Sequence, residues 1–169
     1  TNSGNSLKIP YFNALADNKD FTLAPRIYFN NDILLQTEYR QVEKNFDHIS
    51  DFSIKKLKDG SKSHIFSNTK IDLFSDSSSN SNLEVNLEKT SNDTYLKSEQ
   101  LKSSIQNNQS LLNSFVKYES FDDETDFSFE VSSYEDLSKE KNSDKYQYIL
   151  PSLKLSKIIS PSNNIGGDL

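Results

Sequence analysis

Residues 20–40 read DFTLAPRIYFNNDILLQTEYR, and their alternation of side chains decides the fold. Every second position is apolar from Phe21 to Phe29, and a similar alternation runs from Ile33 to Arg40. A period of two is typical of a β-strand with unlike faces. The polar residues 30–32 between the two runs favour a tight turn. This stretch therefore predicts a β-hairpin.

The same alternation recurs along the chain and predicts about nine strands in an antiparallel meander. The clearest further segments are HIFSNTKIDLF, NLEVNLEK and DFSFEVSSY, and weaker ones are SLKIPYF, HISDFSIKK, LLNSFVKYESF and KYQYILPSLKLSKII. Segments rich in Ser, Asn, Asp and Lys separate them, which favours turns. Only TYLKSEQLKSSI is a candidate for a short helix. We expect an all-β fold with a single domain over residues 1–169.

The composition excludes several classes of function. The chain has 169 residues with 33% hydrophobic residues and a mean hydropathy of -0.73, values that would suit disorder. Against that, its 8 Tyr and 11 Phe are spread regularly along the chain, as in a sheet. The net charge is -6 without a Lys/Arg cluster, so nucleic acid is not an expected partner. The absence of cysteine excludes disulfides and thiolate metal sites.

The alternating runs are long, and this feature favours a barrel wall. Residues 21–29 sustain the pattern over a length close to the ~9–11 residues of a membrane-spanning β-strand. In outer-membrane barrels the apolar side chains face lipid and the polar ones face a wet lumen. The residues expected to face lipid are Leu23, Ile27, Leu35, Leu83, Val85, Leu87 and Phe129, and those expected to face the lumen are Arg26, Glu38, Arg40, Glu84 and Glu88. A soluble β-sandwich fits the same alternation and stays open as an alternative.

Two prolines interrupt the first two predicted strands. Pro10 and Pro25 have no N–H group to donate, so each weakens a ladder of hydrogen bonds. A strand start at Pro10 and a bulge at Pro25 would account for them without any function.

No catalytic, metal or cofactor site is expected. His48 and His64 are the only histidines and lack the spacing of a metal site, so we expect lumen or loop positions for them. No Gly-x-Ser-x-Gly motif occurs. The acidic residues from Asp122 to Asp126 predict a solvated turn rather than a cation site.

Residues 9–40 resemble the opening barrel strands of the LptD family of outer-membrane lipopolysaccharide-assembly proteins. The matching motifs are Pro10-Tyr11-Phe12, the loop Ala16-Asp17-Asn18, the run from Asp20 to Arg26, and the pair Tyr39-Arg40. The later segments SHIFSNTKIDL, TSNDTYL and YQYILPSLKL are similar to later parts of the same barrel. Departures include Asn30-Asn31-Asp32, where the family often has Gly, and Ser91-Asn92-Asp93, where it has Ser-Asp.

The resemblance implies an incomplete transmembrane β-barrel in the cell outer membrane, with the chain an internal fragment of a longer protein. It further implies transport of lipopolysaccharide without covalent chemistry, and a lateral opening near Pro10 and Pro25. The implied partners are lipopolysaccharide, an LptE-like lipoprotein plug and, through a domain outside this fragment, an LptA-like periplasmic bridge. The remaining alternatives are a porin-like passive channel and a soluble surface β-sandwich adhesin.

Overall fold

A computed structural model describes residues 4–76, 78–106, 108–140, 144–159 and 167–168. It consists of one sheet and a single short helix. The elements are β1 (Ser6–Lys8), β2 (Tyr11–Ala16), β3 (Lys19–Tyr28), β4 (Ile33–Glu43), β5 (Phe46–Leu57), β6 (Gly60–Ser75), β7 (Ser79–Thr90), α1 (Tyr95–Ser98), β8 (Leu111–Asp122), β9 (Thr125–Asp136), β10 (Tyr146–Ile159) and β11 (Gly167–Asp168).

The sheet is an antiparallel meander in which each strand from β3 to β10 pairs with the next along the chain. β1 and β2 both pair with β3 and form one edge strand that is interrupted at Ile9 and Pro10. Counted in this way, the expected nine strands are present, and the two-residue β11 extends the sheet beyond β10. Within the described residues the sheet is open, since β1 and β2 do not pair with β10. The predicted all-β antiparallel meander is thus confirmed.

The predicted hairpin is β3 and β4, paired without a register shift from Lys19↔Gln41 to Ile27↔Ile33. At its turn, Asn31 adopts a left-handed φ of 67°, a conformation that Asn tolerates better than most residues. The side chain of Asn30 accepts a hydrogen bond from the Asp32 N–H at 3.1 Å. The polar turn therefore fixes the register on which both faces of the sheet depend.

The backbone nitrogens of the two prolines face different sides of the edge strand. Ile9 N donates to Pro25 O at 3.0 Å, so the backbone groups of Ile9 point towards β3 and those of Pro10 point to the open edge. In an antiparallel strand the N and O of one residue face the same neighbour, so the nitrogen of Pro25 faces the edge strand. Pro10 immediately precedes β2, as a strand start would. Pro25 pairs with Leu35 in regular register, so the bulge considered for it is wrong.

The register assigns the predicted residues to two opposite faces. Directly paired residues share a face, and one such row crosses β4 to β7 through Glu38, Asp51, Phe66 and Glu88. This face, called the polar face below, also carries Arg26, Arg40 and Glu84. The opposite face, called the apolar face, carries Leu23, Ile27, Leu35, Leu83, Val85, Leu87 and Phe129.

The core of the protein lies on the polar face, beneath residues 91–106, a segment called the strap below. The strap follows β7, contains α1, and contributes the buried residues Tyr95, Leu96 and Leu101. These pack in one cluster with residues of the strands and of the segment after β9, namely Tyr28, Leu34, Phe66, Leu112 and Leu137. The sheet therefore buries its polar side at this end.

The strap reaches across most of the width of the sheet. Asp93 bonds to Lys145, next to β10, and Glu99 bonds to Tyr28 of β3. On a flat sheet β3 and β10, seven strand spacings apart, would lie ~34 Å from each other. The six steps from Asp93 to Glu99 span at most ~21 Å even when extended. The long side chains of Lys145, Glu99 and Tyr28 cover the remaining distance, so the strap links β3 to the start of β10.

Burial is inverted relative to that of a sheet in a water-soluble protein. On the apolar face Ile65 is 44% exposed and Leu87 43%, whereas on the polar face Asp51 is 0% and Lys55 3% exposed. Antiparallel sheets in water normally bury the apolar face and solvate the polar one. Separately, among the described residues no helix has the length and apolar character needed to cross a membrane.

Phe66 and Ile65 test this inversion, because they are neighbours on opposite faces of β6. Phe66→Ala removes a ring that is 1% exposed and should lower the free energy of unfolding by about 3–5 kcal/mol. Ile65→Ala, the matched control, should lower it by less than about 1 kcal/mol because the Ile65 side chain is 44% exposed. Denaturant unfolding in detergent measures both values. An equal loss for Ile65→Ala would mean that the apolar face is packed against protein.

Candidate functional site

The strap is fastened to the sheet as soon as it leaves β7. Ser91 N donates to Ser63 O at 2.9 Å, and Ser63 N donates to Ser91 Oγ at 2.8 Å. After the single turn of α1, Gln100 takes a left-handed φ of 50°, and Leu101 N donates to Leu96 O at 3.0 Å. This αL reversal turns the chain so that Leu96 and Leu101 both reach the core.

Glu99 is held in a pocket of basic and phenolic groups on the polar face. Lys55 Nζ donates to Glu99 Oε1 at 3.0 Å, and the Tyr28 hydroxyl donates to Glu99 Oε2. The guanidinium of Arg26 donates to the carbonyl oxygen of Glu99. The Lys55 ammonium also lies 4.1 Å from the centroid of the Tyr28 ring, a cation–π contact. Lys55 and Tyr28 thus form a binding site for an anion, which the carboxylate of Glu99 occupies, and Arg26 lies beside it.

A second buried network lies beside this pocket. His64 Nε2 lies 3.2 Å from Asp51 Oδ1, and His64 Nδ1 lies 2.7 Å from Ser53 Oγ. The Tyr95 hydroxyl lies 2.8 Å from the same Ser53 oxygen. Since a carboxylate only accepts, we assign the proton to Nε2, so that Ser53 donates to Nδ1 and accepts from Tyr95. Every member is satisfied, which is what a buried polar network requires.

Ser53, His64 and Asp51 follow the hydrogen-bond order of a hydrolytic triad, but the geometry does not support hydrolysis. The nitrogens are reversed, since in such a triad the aspartate binds Nδ1 and the serine binds Nε2. The hydroxyl of Tyr95 is hydrogen-bonded to Ser53 Oγ, the oxygen that would have to attack a substrate. Asp51 and Ser53 are 0% exposed. The network therefore serves to seat Tyr95 of the strap.

Further contacts hold the strap at both of its ends. Gln36 Nε2 donates to Lys102 O at 2.9 Å, and Ser104 Oγ donates to Glu38 Oε2 at 2.5 Å. At the other end Lys145 Nζ lies 2.5 Å from Asp93 Oδ1 and 3.3 Å from Glu135 Oε1. Burial lowers the pKa of Lys145, but its two carboxylate partners outweigh burial, and the pKa is raised.

The structure brings only some of the predicted lumen residues to the strap. Arg26 lies in the Glu99 pocket, and Glu38 binds Ser104. Glu88 accepts from the Asn113 N–H at 3.0 Å, near the end of the strap. Arg40 binds Asp20 at 2.9 Å, and Glu84 binds Asn68 at 2.9 Å, both away from the strap.

The sequence analysis missed four residues of the Glu99 pocket and its surroundings: Tyr28, Lys55, Tyr95 and Glu99. Their partners are distant in sequence, as in the pair Lys55 and Glu99, which are 44 residues apart. The only available signal was the segment TSNDTYL, which contains Tyr95 and which was noted for its resemblance alone.

The two histidines differ in position. His64 lies on the polar face, as expected. The lumen or loop position expected for His48 is wrong, because His48 lies within β5 on the apolar face, opposite Thr69. There its Nδ1 lies 2.8 Å from Thr69 Oγ1, and its ring stacks on Phe46 at 6.1 Å. The hydroxyl partner and the neighbouring ring let an imidazole fit among apolar side chains.

The acidic segment after β8 forms a turn. Asp122 Oδ1 accepts hydrogen bonds from the N–H groups of Glu124 and Thr125, at 2.9 and 2.8 Å. In the part of the chain that the structure describes, no group of three or more His, Asp or Glu residues could hold a metal ion.

A shallow hollow of about 510 Å³ lies on the apolar face, where β10 bulges between Ile149 and Ser152. It is lined largely by apolar side chains, including Val85, Leu87 and Val116. Such a lining suits a hydrocarbon chain.

No protein-family model matches the chain, and no curated protein matches it either. Its function must therefore be inferred from its own residues and their geometry.

The seating of Tyr95 predicts that the strap is sensitive to alkali. Burial raises the pKa of the Tyr95 hydroxyl to about 12, above the ordinary value of 10.0. A raised pKa means that its stabilising effect is complete below pH 10 and is lost as the pH rises towards about 12. The loss should amount to roughly 2–3 kcal/mol.

Hydrogen exchange of residues 91–106, followed between pH 9 and 12, measures this effect. Tyr95→Phe is the control, because it keeps the ring but has no proton to lose. The protection of the strap should fall more steeply with pH in the wild type than in Tyr95→Phe. Identical pH profiles would contradict the assigned role of the hydroxyl.

Proposed function

We propose that this chain forms part of the wall of a transmembrane β-barrel that carries lipopolysaccharide to the outer leaflet of the cell outer membrane. The observation that supports it best is the inverted burial of the sheet. Ile65 and Leu87 on one face are exposed, whereas Asp51 and Lys55 on the other face are buried beneath the strap.

This inversion is unfavourable in water and favourable in a bilayer. Each exposed Leu or Ile loses the roughly 1.5–3 kcal/mol that burial would supply, and lipid supplies a comparable gain. A Lys or Arg on the lipid side of a barrel would cost about 2–4 kcal/mol at the bilayer midplane. Arg26 and Arg40 avoid that cost because they lie on the polar face.

The strand lengths agree with a membrane wall. Spanning the hydrocarbon core takes ~9–11 residues of a tilted strand. β3, the shortest strand from β3 to β10, has 10 residues, and β6 has 16. Each of these strands is therefore long enough to span the hydrocarbon core of a bilayer.

The resemblance of residues 9–40 to the LptD family favours lipopolysaccharide as the cargo over small solutes. The polar face would contact the sugars and phosphates, while the acyl chains would leave sideways into lipid. The edge strand suits a lateral opening, since Ile9 and Pro10 break it and Pro25 removes a further donor from its ladder with β3. The proposed partners are lipopolysaccharide, an LptE-like lipoprotein plug and an LptA-like periplasmic bridge.

The two alternatives make different demands on the sheet. A soluble β-sandwich adhesin would need a second layer over the apolar face, and the strands of the described residues all join one sheet. A porin-like passive channel would need no weakened edge strand.

Single cysteines can test the orientation of the two faces, because the native chain contains no cysteine. A fluorophore at Ile27→Cys or Leu87→Cys should be quenched by a lipid-soluble quencher in vesicles. The same fluorophore at Glu84→Cys, the matched polar-face position on β7, should be quenched by a water-soluble quencher instead. Protection of the Ile27 and Leu87 labels from both quenchers would contradict a lipid-facing surface.

The prolines test the lateral opening. Replacing Pro10 and Pro25 together with Ala restores two donors and should strengthen pairing at the edge by about 1–3 kcal/mol. Export of lipopolysaccharide by the intact protein, measured as arrival at the cell surface, should slow accordingly. Pro151→Ala, in the edge strand at the other side of the sheet, is the control. Unchanged export in the double variant would eliminate the lateral gate.

A further inference from the structure

The pocket around Glu99 is built almost entirely by the sheet. Lys55 belongs to β5, and Arg26 and Tyr28 belong to β3, whereas the strap contributes Glu99 itself and Ser98, whose hydroxyl lies 3.5 Å from Glu99 Oε1. The side chain of Lys55 is 4% exposed, and that of Glu99 is 3% exposed. Removal of the strap would therefore leave the cationic and phenolic partners of Glu99 in place without the anion that they bind.

The charges that remain on the sheet are predominantly positive. Lys55 keeps one ion pair, with the carboxylate of Asp32 at 3.6 Å. Lys8 lies directly opposite Arg26 across the edge ladder, so a third cation borders the pocket. The nearby carboxylate of Asp51 is already engaged by Gln36 and His64. Three cations would then share the single carboxylate of Asp32, so the uncovered pocket would attract an incoming anion.

From this we infer that Glu99 is a built-in substitute for a phosphate group of the cargo. When the strap lifts, Lys55, Arg26 and the Tyr28 hydroxyl bind a phosphate carried by the lipid A part of lipopolysaccharide. This inference depends on the proposed function and adds a binding site and an autoinhibitory contact to it. Phosphate suits the pocket because the Lys55 ammonium and the Tyr28 phenol already donate to one anion, and the Arg26 guanidinium beside them donates to the carbonyl oxygen of the same residue, Glu99.

The strap has the properties of a removable cover. Its one helical turn has four residues and cannot be stable on its own. Apart from the packing of Tyr95, Leu96 and Leu101, polar contacts hold it in place. An arriving phosphate carries more negative charge and more acceptor oxygens than the carboxylate of Glu99, so it would form more charge-assisted hydrogen bonds with the same donors.

Glu99→Gln tests the inference, because it keeps the shape of the side chain and removes its charge. Binding of fluorescent phosphorylated lipid A to the detergent-solubilised protein should tighten about tenfold, which corresponds to ~1.4 kcal/mol. Dephosphorylated lipid A should show no such gain. Adding Lys55→Met to Glu99→Gln should abolish the gain. Glu84→Gln, the same charge change on the polar face away from the strap, should leave the affinity unchanged.

Three results would overturn the inference. One is equal affinity of Glu99→Gln and the wild type, and another is an equal gain for Glu84→Gln. The third is an equal gain for dephosphorylated lipid A, which would show that the pocket does not recognise the phosphate. The quenching experiment on Ile27 and Leu87 does not involve Glu99, so a failure here is distinguishable from a failure of the proposed function.

A locked strap provides a test that leaves Glu99 intact. Ser104 and Glu38 are in contact, so cysteines at both positions can be joined by a short, reducible thiol crosslinker. The locked protein should lose lipid A binding and regain it when the crosslinker is reduced. Undiminished binding in the locked protein would contradict a pocket that opens by movement of the strap.

Discussion

The structure depends on the pairing of buried charges on the polar face with groups of the strap. Lys55 has little access to solvent, and the carboxylate of Glu99 supplies the partner that it needs. Breaking such a pair by removing one member typically costs about 3–5 kcal/mol, because the other charge stays buried. The strap therefore contributes to the stability of the sheet. Without it, the polar side of β3 to β6 would have to be solvated.

The same constraint decides which face of the sheet is covered. The strap lies on the polar face and reaches from β3 to the start of β10. The apolar face is then the outer, exposed one. A sheet with hydrocarbon outside and charges inside matches the arrangement of a membrane barrel, in which the surrounding lipid replaces a protein core.

The strands and their faces could be predicted from the sequence because both follow from local rules. A period of two assigns each residue to a face, and the turn at Asn30 to Asp32 fixes the register of the first hairpin. The strap could not be predicted in this way. Its residues are mostly polar and have no regular period, and Glu99 meets Tyr28 across 71 positions of sequence. The position of His48 could not be predicted either, because a polar residue on the apolar face departs from the alternation. Its hydroxyl partner, Thr69, lies on another strand.

The Glu99 pocket and the weakened edge strand are neighbours, and this proximity joins the two proposals. Arg26 directly follows Pro25 in β3, and it pairs with Lys8 two residues before Pro10. A phosphate bound by Arg26 and Lys55 would thus lie about one to three strand spacings, ~5–14 Å, from the edge strand. Acyl chains attached to the same glycolipid are long enough to cross that distance. Binding of the head group and release of the chains would then take place at one side of the barrel, with the strap controlling the first step and the prolines easing the second.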